Sequence, residues 1–482
     1  MRAQRGRCFA SSPWRCGLVS AAAVVALAAV LIARVPPAEA VPLYARQTGQ
    51  PCGTCHTDFA GLTPYGRLFK IGAYTAGGGQ YRAPLFPTSD DSAKSAQEKP
   101  WAPPISMMAI VTFNNTQAPL GAAPYKSNDN VVVSPISFFY GGAITDHIGA
   151  FGQVTYNAPP NGGFGTELFP HTWTWDNTDL RYADSVNLGG FNVTYGITAN
   201  NSPTVQDPWN STPAWAFPYV AAQAQGVNGP PVGTILGSTA FAAHVVGAGA
   251  YAFINDALYL EATVYDTLNP NTQNDLGTDP TKAPGMLNPA PYWRAAFEPH
   301  WGSHWLEFGT FGMLAAVHPF SVGTATFPQT VNFTDIGFDT QYQYQGDNFW
   351  LTLRGSYIHE NQSDPNLLLG ENNTTNTLND ARLYASLAYG NDNRVILTGQ
   401  YFNTWGSSDA GLYFALPSGL SPNSNGWIAE LAYIPFMSSL SPGWPWFNVR
   451  LGVEYIYFNE FGGTTAGATA NNTLLLYAWF AM

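Results

Sequence analysis

The sequence is poor in charged residues and in cysteines, and beyond its N-terminus it has no long apolar run. Charged residues make up 10% of the chain, whereas ordinary soluble domains contain roughly 25%. After the first forty residues no run is long enough for a transmembrane helix, which needs about 20 apolar residues. Acidic residues outnumber basic ones by 31 to 19. This balance argues against a nucleic-acid partner, because phosphate binding requires clustered Lys and Arg.

The first forty residues have the three parts of a secretory signal peptide. Four arginines lie within residues 2–15, an apolar run follows at 18–33, and Ala38-Glu39-Ala40 is a small-residue cleavage site. An N-terminal membrane anchor is the alternative, although the apolar run is short for a span. Cleavage after Ala40 removes residues 1–40 with two of the four cysteines and leaves a net charge of about −16.

From Ile105 to the C-terminus the sequence predicts antiparallel strands. Apolar and polar residues alternate, as where Trp427, Leu431 and Tyr433 share one face opposite Glu430. About sixteen such segments occur, joined alternately by short turns and by long polar loops, of which residues 201–238 form the longest. Outer-membrane barrels have this alternation, with short turns at the periplasmic side. We therefore predict a mainly β fold, a transmembrane barrel over residues 105–482 in the outer membrane of a Gram-negative bacterium. A secreted all-β domain is the alternative.

Residues 41–104 contain the motif with the most specific chemistry, Cys52-Gly53-Thr54-Cys55-His56. This spacing attaches a c-type haem. The two thiols add to the haem vinyl groups, and His56 ligates the iron. A disulfide between the two cysteines and a zinc site are alternatives, but zinc would need two further ligands. We expect one covalent haem c.

The flanks of this motif resemble the fused outer-membrane cytochrome–porin family. The resemblance rests on Ala45-Arg46-Gln47-Thr48-Gly49, Gly66-Arg67, Phe69-Lys70 and the proline-led segment Pro103–Met108. Members of this family include the monohaem outer-membrane cytochromes of iron-oxidising bacteria. The resemblance implies that a short cytochrome segment, residues 41–104, plugs the barrel. It also implies electron transfer from extracellular Fe(II) to a periplasmic acceptor such as a soluble cytochrome, that is, an Fe(II):cytochrome c oxidoreductase.

Further candidate site residues lie next to the haem motif. Arg46, Arg67 and Lys70 are the nearest basic groups, and each could pair with a haem propionate or be a solvated surface charge. We expect Tyr65 and Phe69 to pack against the haem.

Met108 is the candidate for the second iron ligand. Between His56 and Pro104 there is neither His nor Met. Alternation places Met108 on the lumen-facing row of the first strand and Met107 on the lipid-facing row. Packing beside the plug and ligation by a histidine of the barrel remain alternatives. His300 and His304 are expected to flank a two-residue hairpin turn.

Two other functions stay open at this stage. The barrel could be a diffusion porin with a redox-sensitive plug, or it could anchor a cytochrome that has no extracellular donor. Carboxylates of the outer loops, namely Asp275, Asp279, Asp364 and Glu371, could attract a cation or serve solubility only.

Overall fold

The structure is a computed structural model. It describes residues 43–58, 61–76, 104–117, 130–156, 173–211, 229–237, 244–278, 285–318, 320–322, 325–327, 330–363, 375–390 and 393–482. The predicted signal peptide, most of residues 77–104 and three of the four loop carboxylates named above lie outside this part. Residues 40–482 form one compact unit.

In the part of the chain that the structure describes, sixteen long antiparallel strands form one closed sheet. They are β1 Ile105–Thr116, β2 Asn130–Ala143, β3 Ile148–Tyr156, β4 Trp173–Leu188, β5 Phe191–Asn200, β6 Val245–Ile254, β7 Leu258–Thr267, β8 Ala290–Phe297, β9 His304–Val317, β10 Val331–Gln345, β11 Phe349–Ser363, β12 Thr375–Tyr389, β13 Val395–Gly406, β14 Ser424–Tyr433, β15 Asn448–Glu460 and β16 Thr473–Ala481. The two-residue strand His300–Trp301 extends the sheet beside β9, and Phe320–Val322 pairs with Ala325–Phe327 in a separate small hairpin.

Each strand pairs with the next along the chain, and the last strand pairs with the first. β16 runs antiparallel to β1 from the Met108–Ala481 pair to the Thr116–Thr473 pair, which closes the barrel. Closure leaves no free strand edge, as a bilayer requires. A barrel of this strand number is wide enough to enclose a lumen. The predicted fold class and strand number are therefore confirmed.

The connections alternate in length as the sequence predicts. At one end lie tight turns such as Gly189-Gly190, with φ values of 61° and 94°, and the turn at Asn255 and Asp256, both with φ of 52°. Glycine and asparagine tolerate this left-handed backbone. Gly302, with φ of 55°, turns the chain between Trp301 and His304, which pair across the turn. The prediction of a hairpin turn flanked by His300 and His304 is confirmed.

The two faces of the wall differ in polarity. On the outer face large apolar side chains are exposed, for example Ile197 at 61%, Leu383 at 63% and Trp427 at 54%. On the inner face charged residues such as Arg181, Arg294 and Glu430 are buried. An apolar exterior around a polar interior is the construction of an outer-membrane barrel, in agreement with the predicted location. Among the described residues, no helix is long and apolar enough to span a membrane.

The lumen is filled from both ends. The N-terminal segment contributes three helices, α1 Leu43–Thr48, α2 Cys52–Cys55 and α3 Pro64–Ile71. The longest connection, residues 201–244, contains α4 Pro203–Gln206, and α5 Pro270–Asp275 lies in the next long one. Residues 205–211 and 234–237 of the longest connection are buried. This connection is the longest, as the sequence predicts, and these stretches of it turn into the barrel.

Candidate functional site

Helices α2 and α3 are held together by Thr63, the residue that directly precedes α3. Its side chain caps α3 by accepting a hydrogen bond from the Gly66 amide at 3.2 Å, and Pro64 occupies the first turn. The Thr63 amide donates to the Cys55 carbonyl at 2.9 Å, and its hydroxyl donates to the Thr54 carbonyl at 2.5 Å. Threonine followed by proline is a common helix start, so the sequence dictates where α3 begins.

The short helix α2 places the two cysteines on one side. Residues three apart on a helix are neighbours, and both Cys52 and Cys55 are free thiols. His56 follows the helix, and its Nδ1 lies 3.2 Å from the Gly61 carbonyl. An Nδ1–H group that donates to a backbone carbonyl is the usual arrangement for a histidine that ligates a metal through Nε2. Burial lowers the pKa of His56, so the neutral, ligating form is favoured.

Cys52, Cys55 and His56 border one cavity of about 290 Å³ between the N-terminal segment and the barrel wall. Met108 of β1 borders the same cavity and is buried at 4% exposure. Aromatic and aliphatic side chains make up most of the remaining wall: Leu43, Tyr44, Leu62, Phe69, Tyr74, Phe139, Phe151, Val205 and Trp479. A largely apolar cavity with a few convergent ligating atoms suits a large, flat and mainly apolar cofactor.

The environment of the thiols bears on the alternative interpretations of the CxxC pair. Burial raises the pKa of Cys52, and burial together with Cys52 raises the pKa of Cys55 to about 12. Redox-active CxxC pairs instead have a lowered thiol pKa. Among the described residues, no group of three or more His, Cys, Asp or Glu side chains is arranged to hold a metal ion. Neither the dithiol–disulfide nor the zinc interpretation gains support.

Of the three basic residues that flank the motif, Lys70 borders the cavity. Its ammonium donates to the Asp207 carbonyl at 2.7 Å and to Asn210 Oδ1 at 3.2 Å. Burial, and next the nearby Arg181, lower the pKa of Lys70 to about 7. An anionic group of a cofactor would offset this unfavourable burial of a cation.

Arg46 and Arg67 are directed towards the barrel wall. Arg67 forms an ion pair with Glu298 at 2.9 Å and donates to Gln343 at 2.7 Å. Arg46 donates to the Ile105 carbonyl at 2.5 Å and lies 4.7 Å from the centre of the Trp446 ring. The surface-charge interpretation is wrong for both, since each is buried at 2–3% exposure. Pairing with propionates stays a prediction, and neither residue borders the cavity.

The two aromatic candidates lie on opposite sides of the N-terminal segment. Phe69 borders the cavity and stacks edge-on against Tyr44 with ring centres 4.9 Å apart. Tyr65 is 38% exposed and borders a separate depression at the end of the barrel that carries the short turns. Packing of Tyr65 against a haem is not supported by this placement, because helix α2 lies between the two spaces.

The sequence analysis did not identify the part of the cavity wall that comes from the longest connection, nor the hydrogen bonds that hold the N-terminal segment in the barrel. Val205 and Asn210 of the inward-turned connection border the cavity. Side-chain hydrogen bonds join the N-terminal segment to many parts of the wall, among them Tyr44 to Ala150, Tyr74 to Asp179, Tyr251 to Ile71, Arg67 to Glu298, Arg67 to Gln343 and Arg450 to Asp58. No signal for these hydrogen bonds is present in the sequence, because the burial of Asp58, two residues after the haem motif, is seen only in the structure.

The barrel histidines in the described part of the chain do not border the cavity. His304 hydrogen-bonds Tyr342 at 2.8 Å and stacks on Trp301, and His244 lies 3.1 Å from Gln273. His359 lies 2.8 Å from Asn379. These placements favour Met108 over a barrel histidine as the second ligand.

Comparison with known proteins finds distant structural similarities. No protein-family model matches the chain, and no curated protein matches it. Solved porins are similar in fold, among them OmpT of Vibrio cholerae (10% identity, 80% of this chain, 100% of that chain, TM-score 0.39). OmpF of Salmonella typhi, solved with daunomycin, is 13% identical, and the match covers 78% of this chain and 97% of that chain with a TM-score of 0.43. OprB of Pseudomonas putida is 12% identical, and the match covers 78% of this chain and 93% of that chain with a TM-score of 0.46. The closed register of its own strands defines this chain as a porin-like barrel of the outer membrane.

Proposed function

We propose that this chain is an outer-membrane c-type cytochrome with one haem, attached through Cys52 and Cys55 and ligated by His56. One observation carries the proposal. The two thiols, the imidazole and the Met108 thioether come from two separate parts of the chain, yet they border the same apolar cavity. A motif that occurred by chance would have no reason to adjoin a space of suitable shape and polarity.

The chain's own residues would hold the cofactor and keep water away from it. Phe69, Tyr44 and Tyr74 form a contiguous aromatic wall on one side of the cavity. Lys70 offers a buried cation to a propionate. Met108 is proposed as the second axial ligand, since a thioether ligand raises the potential relative to a second histidine. When bound, the haem supplies one-electron redox chemistry at its iron.

The donor is proposed to be extracellular Fe(II), and the acceptor a soluble periplasmic carrier. The resemblance of residues 45–49 and 66–70 to the cytochrome–porin family supports this direction of transfer. Fe(III) precipitates near neutral pH, so oxidation outside the cell keeps the insoluble product out of the periplasm. A cytochrome that is merely anchored by the barrel would differ in one respect: its haem would stay oxidised in excess Fe(II) although dithionite reduces it.

Diffusion through the lumen is the second candidate function. The porin-like barrel favours it, because sixteen strands can enclose an aqueous channel. The plug argues against it, since residues 43–76 bind to strands on all sides of the lumen. Reconstitution into planar bilayers separates the two candidates. Steady porin-sized conductance from the haem-loaded protein would favour the diffusion porin, and a closed barrel would favour the conduit.

Mass spectrometry of protein from cells that mature c-type cytochromes tests the central proposal. We expect an intact mass equal to residues 41–482 plus one haem. Cys52→Ala with Cys55→Ala should remove the covalent haem and leave the folded barrel. A wild-type mass without haem would refute the proposal.

A further inference from the structure

The periplasmic end of the barrel carries an uncharged surface next to the haem motif. A depression of about 400 Å³ opens there. Its lining includes Gln345, which ends β10, and Asn393, which lies in the short turn before β13. Short turns face the periplasm. The exposed ring of Tyr65 and the rings of Trp305 and Trp350, 5.7 Å apart, line the depression.

Helix α2 separates this depression from the cavity that contains the thiols. Cys52 and Cys55 border the cavity, whereas Gly53 and Thr54 border the depression, and Pro51 borders both. Only the short helix α2 therefore separates the depression from the cavity. A partner seated in the depression would come as close to the cofactor as the periplasmic surface allows.

A second feature, the long turn between β14 and β15, lies beside the depression. Residues 434–447 contain no charged residue. Met437 is fully buried in the apolar cluster that contains Cys52. The Asn448 Nδ2 atom lies 3.7 Å from Cys52 Sγ and 3.8 Å from Met437 Sδ. Three residues after Met437, Leu440 is 93% exposed. Leu440 therefore projects an apolar side chain from a segment that is anchored beside the haem motif.

The charges around this surface indicate the kind of partner. In the described short turns, Asp146, Asp256 and Asp347 are exposed, and the cation there, Arg394, is partly buried. The whole chain is acidic as well, with a net charge of −12. A basic partner would be steered towards this rim.

We propose that the surface formed by the depression and Leu440 is the docking site of a basic, soluble, one-electron carrier protein. The inference rests on the proposed function and specifies its acceptor. The partner takes one electron, so that its iron goes from Fe(III) to Fe(II) while the haem iron of this chain goes from Fe(II) to Fe(III). No bond forms or breaks, and no proton is transferred.

The test uses the haem-loaded protein in detergent, reduced and freed of reductant, and mixed with ferric mitochondrial cytochrome c as a basic probe. Leu440→Ser should raise the half-saturating cytochrome c concentration about tenfold. Asp347→Lys should slow the reaction at low salt and have no effect at high salt. Leu287→Ser, an equally simple change of a 60% exposed leucine in a long connection at the other end of the barrel, is the matched control.

Two further oxidants separate docking from other effects. Ferricyanide, a small oxidant, should reoxidise all four proteins at the same rate at high salt, where the charge at position 347 is screened. Cytochrome c with succinylated lysines, whose charge is reversed, should react more slowly than native cytochrome c. Unchanged kinetics in Leu440→Ser, an equal slowing with ferricyanide, or a wild-type haem that native cytochrome c fails to oxidise would overturn the docking site. A preparation without haem would instead overturn the proposed function.

Discussion

Gly66 permits the close contact between α2 and α3, and its replacement by alanine is a sharp test of the site. A Cβ atom at Gly66 would lie 2.3 Å from the Cys55 carbonyl oxygen, 3.1 Å from its carbonyl carbon and 3.2 Å from its Cα. All three atoms are backbone, so no side-chain rotation relieves the clash. The two helices would have to separate by about 1 Å in a close-packed region.

The sign of the effect follows from two opposing terms. Alanine is favoured over glycine in a helix by about 1 kcal/mol, which alone would stabilise α3. Overpacking typically costs about 1–3 kcal/mol, and contact with rigid backbone places this clash towards the upper end. We expect a net local destabilisation of about 1–2 kcal/mol in the N-terminal segment, because the atoms that a Cβ at Gly66 would meet belong to Cys55 of the same segment.

The expected result of Gly66→Ala is a folded barrel with less covalent haem and a shifted reduction potential, because Cys55 and His56 move with α2. Haem content per barrel, the visible spectrum and hydrogen exchange of residues 43–76 measure this. Gly399→Ala is the matched control, since a Cβ atom there meets nothing within 4 Å. Wild-type haem content, potential and exchange in Gly66→Ala would refute the reasoning.

Two other predictions concern single side chains of the cavity. Met108→Ala should abolish the thioether–iron absorption band and lower the potential. Met107 also borders the cavity but is less buried than Met108, and Met107→Ala should leave both unchanged; a wild-type spectrum in Met108→Ala would exclude the assignment. The second concerns Lys70, whose pKa in the folded, haem-free chain is about 7 against 10.5 ordinarily. Between these values the unfolded chain binds a proton that the folded chain lacks, so the N-terminal segment should become more stable as pH rises through this window. Lys70→Met should flatten that rise in hydrogen exchange, and an unchanged pH dependence would contradict the assignment.

The barrel could be predicted from the sequence because each strand obeys a local rule. Lipid on one side and the lumen on the other require residues to alternate, so Leu431 and Tyr433 face outward and Glu430 inward whatever the neighbouring strands are. The turns are equally local, as at Gly302, where the backbone needs a positive φ. The same alternation places Met108 on the inner face of β1, and the burial of its side chain agrees with this placement.

The partners of the plug could not be predicted, because they depend on contacts between distant parts of the chain. Arg67 and Glu298 are 231 positions apart, and Asp58 and Arg450 are 392 apart. Nothing near Arg67 in the sequence distinguishes a propionate partner from a wall carboxylate. The inward course of residues 203–211 has the same origin, since Asp207 receives its ion-pair partner, Arg294, from β8. From its composition alone, this stretch was predicted to be an ordinary polar loop.

The buried polar contacts explain how a small segment keeps one orientation inside a nearly cylindrical lumen. Apolar contacts alone would let the plug rotate or slide, because one apolar stretch of wall resembles another. Ion pairs such as Arg450–Asp58, at 2.6 Å, and Arg67–Glu298 contribute little net stability, since both charges lose hydration on burial. Each can form in only one rotational position, however, and a wrong position would leave a charge buried without a partner. Together with the Tyr74–Asp179 bond on a third part of the wall, these pairs fix the rotation of the plug. They thereby hold the face of Cys52, Cys55 and His56 towards Met108.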